Sequence, residues 1–470
     1  MLDILEAGFE AADPSHNVRE LLRVEGDRLI VGHPDFEPSG TPRPGERVFD
    51  LSQVGRIYVF GAGKGIQYVA RGIEEVLGDR LTGGHVIGKH GDPIILQRIG
   101  VTLGGHPVPD EGCVQGCLKI LELCQGLSQG DLVFTVAANG VSSLLTLPVP
   151  GVSLEDVRRT TYMMQIERGA PTHDLNPIRN HLDLMKGGRI SRYIQPARAI
   201  HILARDPNYA PTVLGLRGYE QLMYGNFWLH TMPDCTTFEQ AVAMLEKWDA
   251  WDAIPASVRA HLTRADPRQE TVKAAEFEQM DFLVYGVMPR NRSMLAAMEK
   301  ARELGFTPHR LSRWLQAEAS QAGLTIASIA ETIEHEGVPF APPCALFTSG
   351  ELLVTVGQET GIGGRNQEYA LSAALRIAGS RNIVMAGADT DGTDGPGGCF
   401  ADDAGEIACL AGGIVDGETV AEAQAAGVDI LSAIRRHDTS PALWGLNNGI
   451  AARPNIAIGD LGVTLILGRA

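Results

Sequence analysis

The sequence predicts an α/β protein of two domains, and three observations predict it. The chain has 470 residues, more than one hydrophobic core usually serves. Short, continuously apolar, β-rich runs alternate with helix-spaced segments, the pattern of a mostly parallel sheet covered on both faces. Most of the 55 glycines fall in loops straight after apolar runs rather than in a repeat, as tight strand-to-helix turns require.

The elements follow in order. Residues 56–60 (RIYVF) form the first run, followed by Gly61-Ala62-Gly63-Lys64-Gly65 and a helical pattern over 66–78. Residues 85–88 and 100–103 are further strands, the second running into Gly104-Gly105-His106-Pro107, and 113–127 has helical spacing. Residues 131–137 and 199–204 complete the N-terminal set. The charged, strand-free stretch 271–280 marks a boundary, giving an N-terminal domain 1–279 and a C-terminal domain 280–470. Beyond it come a strand at 282–287, helices at 291–305 and 324–337, a strand at 351–357, a helix at 366–379 and a strand from 382 into a loop. In such sheets ligands sit at the carboxyl ends of strands, where every loop below falls.

Composition narrows the partners. Apolar residues make up 44% and charged residues 21%, a globular balance. Acidic residues outnumber Lys and Arg by 57 to 40, so the net charge of −17 argues against non-specific nucleic-acid binding. An anionic substrate must then be caught by a local cluster of cations and backbone N–H groups. The seven cysteines lack metal-ligand spacing, and Cys113, Cys117 and Cys124 read as buried free thiols. No apolar run approaches the roughly 20 residues of a membrane helix. The opening MLDILEAGFEAADP has no basic leader, so a cytoplasmic protein is expected. A homo-oligomer is compatible with everything read here.

Five loops hold candidate chemistry. Gly61, Gly63 and Lys64 form a small-residue turn at a helix start, suited to an anion, though a tight turn with a solvated lysine fits equally. Its spacing is not that of a Walker A loop. His106, Asp110 and Glu111 lie at a strand end, where Asp110 could simply cap the next helix. Arg179, Lys186 and Arg189 concentrate positive charge; the seven-residue spacing of the first two would put them on one helix face. A solvated basic helix is the alternative. Glu351 follows Thr348-Ser349-Gly350, while Gly363-Gly364-Arg365-Asn366 opens a helix and makes a second anion-ready start. Asp389, Asp391 and Asp394 place three carboxylates in six residues, suited to a hard cation or to a base, or else to a plain Asp/Gly turn.

Taken in order, GAGKG, GGHPVPDEG, N-x-x-R-x-H with KGGR, SGE, GGRNQEYAL and DTDGTDG resemble the glycerate 2-kinase family. This is the family with a DUF4147 region and a C-terminal MOFRL domain, labelled hydroxypyruvate reductase in older usage. The resemblance covers nearly the whole chain. It implies a Rossmann-like N-terminal domain with a mostly parallel sheet, a smaller MOFRL-type α/β domain, and an active site in the cleft between them. It implies a transferase that moves the γ-phosphoryl group of ATP to a hydroxyl of D-glycerate or a related sugar acid, with Mg²⁺. Lys64, Arg365, Asp389 and Asp391 would be catalytic, Lys64 and Arg365 stabilising transferring charge across the cleft. His106, Arg179, Lys186 and Arg189 would hold the small anionic hydroxy acid, with Glu351 orienting Arg365 or Lys64. Gly61, Gly63, Asn139, Gly140, Ser142 and Gly364 would line the nucleotide, and Asp391 and Asp394 would hold the metal.

Four loops depart from the family's pattern. Its Ser-Gly-Gly-Gly-Ser becomes Ala138-Asn139-Gly140-Val141-Ser142, where the valine is expected to crowd a phosphate cradle. Its Ser-Asp-Val-x-Gly-Asp becomes Ala204-Arg205-Asp206-Pro207-Asn208, and its Ser-Gly-Pro-Thr becomes His230-Thr231-Met232-Pro233. Its Thr-Gly-Pro-Thr-Gly-Thr-Asn is replaced by AARPNIAIGD, residues 451–460. Beside the kinase stand two other readings: a relative doing isomerase or lyase chemistry on a sugar acid or its phosphate, and a catalytically dead binding protein. A nicotinamide-dependent reductase is disfavoured, because Gln67 stands where the third fingerprint glycine would be and no acidic residue ends the next strand.

Overall fold

A small antiparallel sheet, β1 (Leu22–Glu25), β2 (Arg28–Val31) and β3 (Arg47–Asp50), precedes the strands the apolar runs predict. Those strands are β4 (Ile57–Ala62), β5 (Gly83–Lys89), β6 (Gly100–Gly104), β7 (Leu132–Ala137), β8 (Arg198–Leu203) and β9 (Phe282–Gly286). The computed structural model describes residues 1–208, 215–289, 291–359, 361–395, 409–453, 456 and 459–468. Strands β4 to β9 form one all-parallel sheet in the order β6-β5-β4-β7-β8-β9. The chain builds outward from β4 in one direction, then returns to build from β7 in the other. That is the Rossmann order, with its reversal between β4 and β7. Every residue of β7 is buried, as expected of a central parallel strand.

The chain divides into two units, Pro14–Pro289 and Met1–Asp13 with Arg290–Ala470. The boundary expected at 279/280 therefore moves. Strand β9 pairs with β8 from Ala199↔Phe282 to Leu203↔Gly286, so the sheet itself carries the chain past residue 280. The first residues join the second unit because the helix Leu2–Ala12 buries Ile4 and Leu5 against Met294, Ala297 and Ala301.

The second unit holds β10 (Thr307–Leu315), β11 (Cys344–Gly350), β12 (Ile383–Asp389), β13 (Gly412–Asp416), β14 (Gly449–Ile450) and β15 (Asp460–Ile466). Their order is β10-β11-β15-β12-β13-β14, with only β10 and β11 parallel. Helices Ala319–Glu336 and Arg365–Ile377 pack in one core through Ala322, Ala327, Ala330, Ala370, Ala373 and Ala374, small side chains that let the helices approach closely. The strand expected at 351–357 is not formed; the sheet uses β11 just upstream, and Leu353 and Val356 beyond it are exposed. Among the described residues no helix is long and apolar enough to cross a membrane.

Candidate functional site

The reversal between β4 and β7 places two loops side by side. Ala62 is in register with Ala137, and the Lys64 N–H donates to the Asn139 carbonyl at 2.7 Å, tying the loop after β4 to the loop after β7. Gly61 lies inside β4 with the Val136 carbonyl where a Cβ would stand, and Gly63 packs on Ala138. Both glycines are thus required by the neighbouring strand as much as by any ligand. Val141, expected to crowd the loop, is buried in the sheet core instead. Gly140 has φ +82°, and a Cβ there would meet the His106 ring at 2.9 Å and the Lys64 stem at 3.2 Å. Lys64, Gly140 and His106 are therefore one contiguous surface, on which only glycine fits at 140.

This surface is electropositive. Burial, then Lys64, Lys89 and Arg179, pushes the His106 imidazole down to about 4, so it stands neutral near pH 7. Arg179 is only 8% exposed, and burial lowers its pKa to about 10. Its hydrogen bond goes to Gln165 Oε1 at 2.8 Å, and no carboxylate among the described residues pairs with it. A buried guanidinium without a counter-charge is costly for a fold and is the arrangement that an anion relieves. Ser142 Oγ lies 2.9 Å from Nε2 of the wholly buried His230, so two of the altered loops meet.

The other two cations of this segment have different work. The helix Thr172–His181 ends before Lys186, so Arg179 and Lys186 share no helix face. Lys186, 1% exposed, donates to Asp183 Oδ2 at 2.5 Å and Thr146 Oγ1 at 2.7 Å. Arg189 donates to the carbonyls of Asn180, Asp183 and Gln269. Their charge closes the turn after the helix rather than facing a substrate. Asp110 caps the helix Glu111–Cys124 and binds His90, while Glu111 is exposed in its first turn.

In the second unit the acidic loop and the helix at Arg365 meet at the ends of β12 and β15. Asp389 and Asp460 are cross-strand partners. Arg365 Nη2 donates to Asp389 at 2.6 Å, and Nε donates to both oxygens of Asp460 at 2.8 and 3.1 Å. Nη1 has no partner among the described residues. Burial works against the Arg365 charge, but Asp460 and Asp389 outweigh it and hold the pKa above the ordinary arginine value. One arginine cannot offset all the nearby carboxylates. Burial, Asp391 and Asp460 raise Asp389 to about 8 despite Arg365, the proton affinity of a base working near neutrality. Its oxygens are engaged, Oδ2 by Arg365 and Oδ1 by the Asp391 N–H at 3.2 Å.

Three expectations are corrected here. Glu351 is exposed, and Asp389 and Asp460 orient Arg365 in its place. Asp394 is not placed to hold a metal: it is fully buried, and it accepts from the N–H groups of Asn366 (3.1 Å) and Gln367 (2.9 Å) and from Asn366 Nδ2 (3.0 Å). It thereby caps the helix Arg365–Ile377. The helix start expected to await an outside anion is already filled by this carboxylate, and Gly364 is a glycine because Asp394 occupies the space of its Cβ. Asp391 stays half-exposed beside Asp389. No group of three or more His, Cys, Asp or Glu that could hold a metal occurs among the described residues. The donor set fits a Mg²⁺ carried on nucleotide phosphates, which needs one or two carboxylates, and not a resident all-protein cage.

Two residues escaped the sequence reading. Asp460 stands at the start of an apolar strand, and its only signal was a lone carboxylate before LGVTLIL. His230 carried a signal as a departure from the family pattern but none of its chemistry. Of the altered segment 451–460, residues 454, 455, 457 and 458 lie outside the described residues.

A Rossmann-ordered parallel sheet with Lys64, His106 and Arg179 near its reversal, in a chain that also carries a second α/β unit, is the arrangement of an α/β enzyme. The DUF4147 model, a domain of unknown function, matches residues 1–207, and the MOFRL family model matches residues 344–455. The chain is 34% identical to the glycerate 2-kinase of Pyrococcus horikoshii over 94% of its own length and 92% of that protein's. It is 34% identical to the D-glycerate 2-kinase of Thermotoga maritima, over 83% and 85%. The solved structure of a P. horikoshii protein superposes with a TM-score of 0.78 at 30% identity, covering 100% of this chain and 98% of that one. The glycerate kinase structure from T. maritima gives a TM-score of 0.75 at 29% identity, covering 99% and 98%. The chain belongs to the glycerate 2-kinase family.

Proposed function

We propose that this protein transfers the γ-phosphoryl group of ATP to a hydroxyl of a small hydroxy acid, glycerate being the acid named for its relatives. The observation that carries the reading is Arg179, a buried cation with no carboxylate partner among the described residues, beside Lys64, Lys89 and His106 at the reversal of the parallel sheet. In this reading Arg179 takes the carboxylate of the acid, and Lys64 meets phosphate oxygens. His106, neutral near pH 7, accepts from or donates to a hydroxyl without adding charge.

A bond forms between the acid's hydroxyl oxygen and the γ-phosphorus as the bond from that phosphorus to the ADP oxygen breaks. The hydroxyl proton passes to the Asp389–Asp391 pair. Such a transfer needs little covalent help from protein; positioning and charge stabilisation supply most of the acceleration. Arg365, held by two carboxylates and with no partner for Nη1 among the described residues, is the group suited to the negative charge on the transferring phosphoryl. Mg²⁺ on the nucleotide would neutralise phosphate charge, with Asp391 as its protein carboxylate. A cytoplasmic location is part of the reading, supported by the buried free thiols of Cys113, Cys117, Cys124 and Cys344. The test is ADP release from ATP and Mg²⁺ with D-glycerate and longer aldonic acids, together with detection of the phosphorylated acid. Acid-dependent ADP release with matching product supports the kinase; none with any acid rejects it.

A further inference from the structure

His181 closes the helix Thr172–His181 two residues after Arg179, and its side chain is wholly buried. At about 100° per residue the two side chains leave nearly opposite sides of the last turn. Nδ1 of His181 lies 2.7 Å from the Pro177 carbonyl, so the ring bridges the turn that contains Arg179. Nε2 lies 2.8 Å from Oε1 of Glu270, which follows the helix Ala256–Arg264 in the chain. The Phe238 ring packs against the imidazole at 4.5 Å between centroids.

Both partners are acceptors. A carbonyl has no hydrogen to give, and Glu270 is ionised: its Oε1 also accepts from the Thr271 N–H at 2.7 Å, from Thr271 Oγ1 at 3.1 Å and from Lys273 Nζ at 3.1 Å. Burial opposes the Glu270 charge, but His181 and Lys273 outweigh it and hold the carboxyl well below its usual range. A neutral imidazole has one N–H and cannot serve two acceptors; only the imidazolium donates from both nitrogens. The C-terminal end of a helix favours that charge. The other charged or titratable groups about the pair are Glu239 and His261, on the helices Phe238–Lys247 and Ala256–Arg264, and Lys273 and Arg189, which flank Glu270.

The support behind the ring is itself well anchored. The Val272 N–H donates to the Gly187 carbonyl at 2.9 Å, the Asp234 N–H to the Val272 carbonyl at 2.8 Å, and Arg192 Nη1 to the Glu270 carbonyl at 3.1 Å. His261 Nε2 donates to the His181 carbonyl at 2.7 Å, holding the same turn. We propose that His181, an imidazolium clasped between Pro177 and Glu270, is a positioning residue of the anion site, aiming Arg179 by fixing the helical turn that carries it. The inference rests on the reading in which Arg179 takes the carboxylate of the acid, and adds control by a proton. Loss of one ring proton leaves a bare nitrogen facing an acceptor, the clasp opens, and affinity for the acid falls as pH rises.

The experiment follows the ring and the site together by nitrogen NMR of protein carrying isotope-labelled histidine and arginine. The pH is kept below the value of about 10 to which burial brings Arg179. Both ring nitrogens of His181, assigned by the loss of their signals in His181→Gln, should carry protons at neutral pH. As the ring loses its second proton the Nε–H signal of Arg179 should move in step, and KM for D-glycerate should rise about tenfold with kcat nearly constant. Glu270→Gln removes the counter-charge but keeps an oxygen acceptor, so ring, Arg179 signal and KM should all change at a pH lower by about one unit or more. His181→Gln, with no charge to lose, should keep KM at its raised value throughout. A bare ring nitrogen at neutral pH overturns the proposal, as does a KM profile that Glu270→Gln leaves in place. If no acid is phosphorylated, the kinase reading fails separately and the NMR signals decide: an Arg179 signal that follows the ring sustains the clasp, and one that ignores it refutes the clasp. Should Glu270→Gln fail to fold, the wild type and His181→Gln carry the same comparison.

Discussion

Arg365 and Asp460 lie 95 residues apart in the chain, yet Nε of the arginine sits 2.8 and 3.1 Å from the two carboxylate oxygens. Asp460 also accepts from Asn366 Nδ2 at 2.8 Å and from the Leu352 N–H at 2.7 Å, so its position is set by strand, helix and loop together. With Asp389 on Nη2, the guanidinium is fixed at two edges, and Nη1 has no partner among the described residues. In the proposed kinase reading Asp460 is a positioning residue, acting through Arg365.

Asp460→Asn should lower kcat on the order of tenfold to a hundredfold, because a misaimed catalytic group costs that much without leaving the site. KM for the acid should change little. Glu351→Ala should leave both constants near wild type. Steady-state kinetics of the two variants checks this, and an equal loss in both would return the orienting role to Glu351.

Arg179 and Lys186 should separate function from stability. Arg179→Met removes a buried cation that no carboxylate among the described residues offsets, so the melting temperature should rise while KM for the acid increases about a hundredfold or more. Lys186→Met leaves Asp183 buried without its cation and should cost about 3–5 kcal/mol. Urea unfolding of both variants, beside KM for the first, measures the contrast.

Asp394 should behave as a helix cap. Asp394→Ala strips partners from the Asn366 and Gln367 N–H groups and should destabilise the protein by at least about 1–2 kcal/mol. The Mg²⁺ concentration giving half-maximal rate should not move. A large increase in that concentration would restore Asp394 as a metal ligand.

The two units should respond oppositely to mild acid. In the unit Pro14–Pro289, burial holds His106 at about 4 and His201 at about 3, below the ordinary histidine value. The unfolded chain therefore binds protons first, and stability present above about pH 6.5 is lost as pH falls. In the other unit Asp389 at about 8 and Asp394 at about 6 are raised, so the folded form binds protons first and gains stability over the same descent. Lowering the pH from 7 to 5 should expose Cys117 at lower urea and Cys344 at higher urea. A brief thiol-labelling pulse at fixed pH after urea equilibration, read by mass spectrometry, checks both signs.

The fold was largely legible because its signals are local. The six apolar runs from residue 56 to 287 became β4 to β9, since a strand buried on both faces has to be apolar along its length. Residues 351–357 misled for the same reason: they are β-rich, but β11 immediately before them takes the place beside β15. The boundary moved because pairing of β9 with β8 is a long-range fact.

The site was legible as a set of loops and not as a set of roles. The sequence alone determined the α/β class, the family resemblance, and the loops where chemistry falls, all of which follow from periodicity and motif order. Only the tertiary structure decided which charges are left for a ligand. Lys186 is paired with Asp183, Arg189 donates to backbone carbonyls, and Asp394 accepts from a helix start, whereas among the described residues Arg179 has no carboxylate partner and one edge of Arg365 has no partner. The reason is that a charge in a folded protein is used up by whichever partner is within hydrogen-bond reach, and such partners are set by distance in space rather than along the chain.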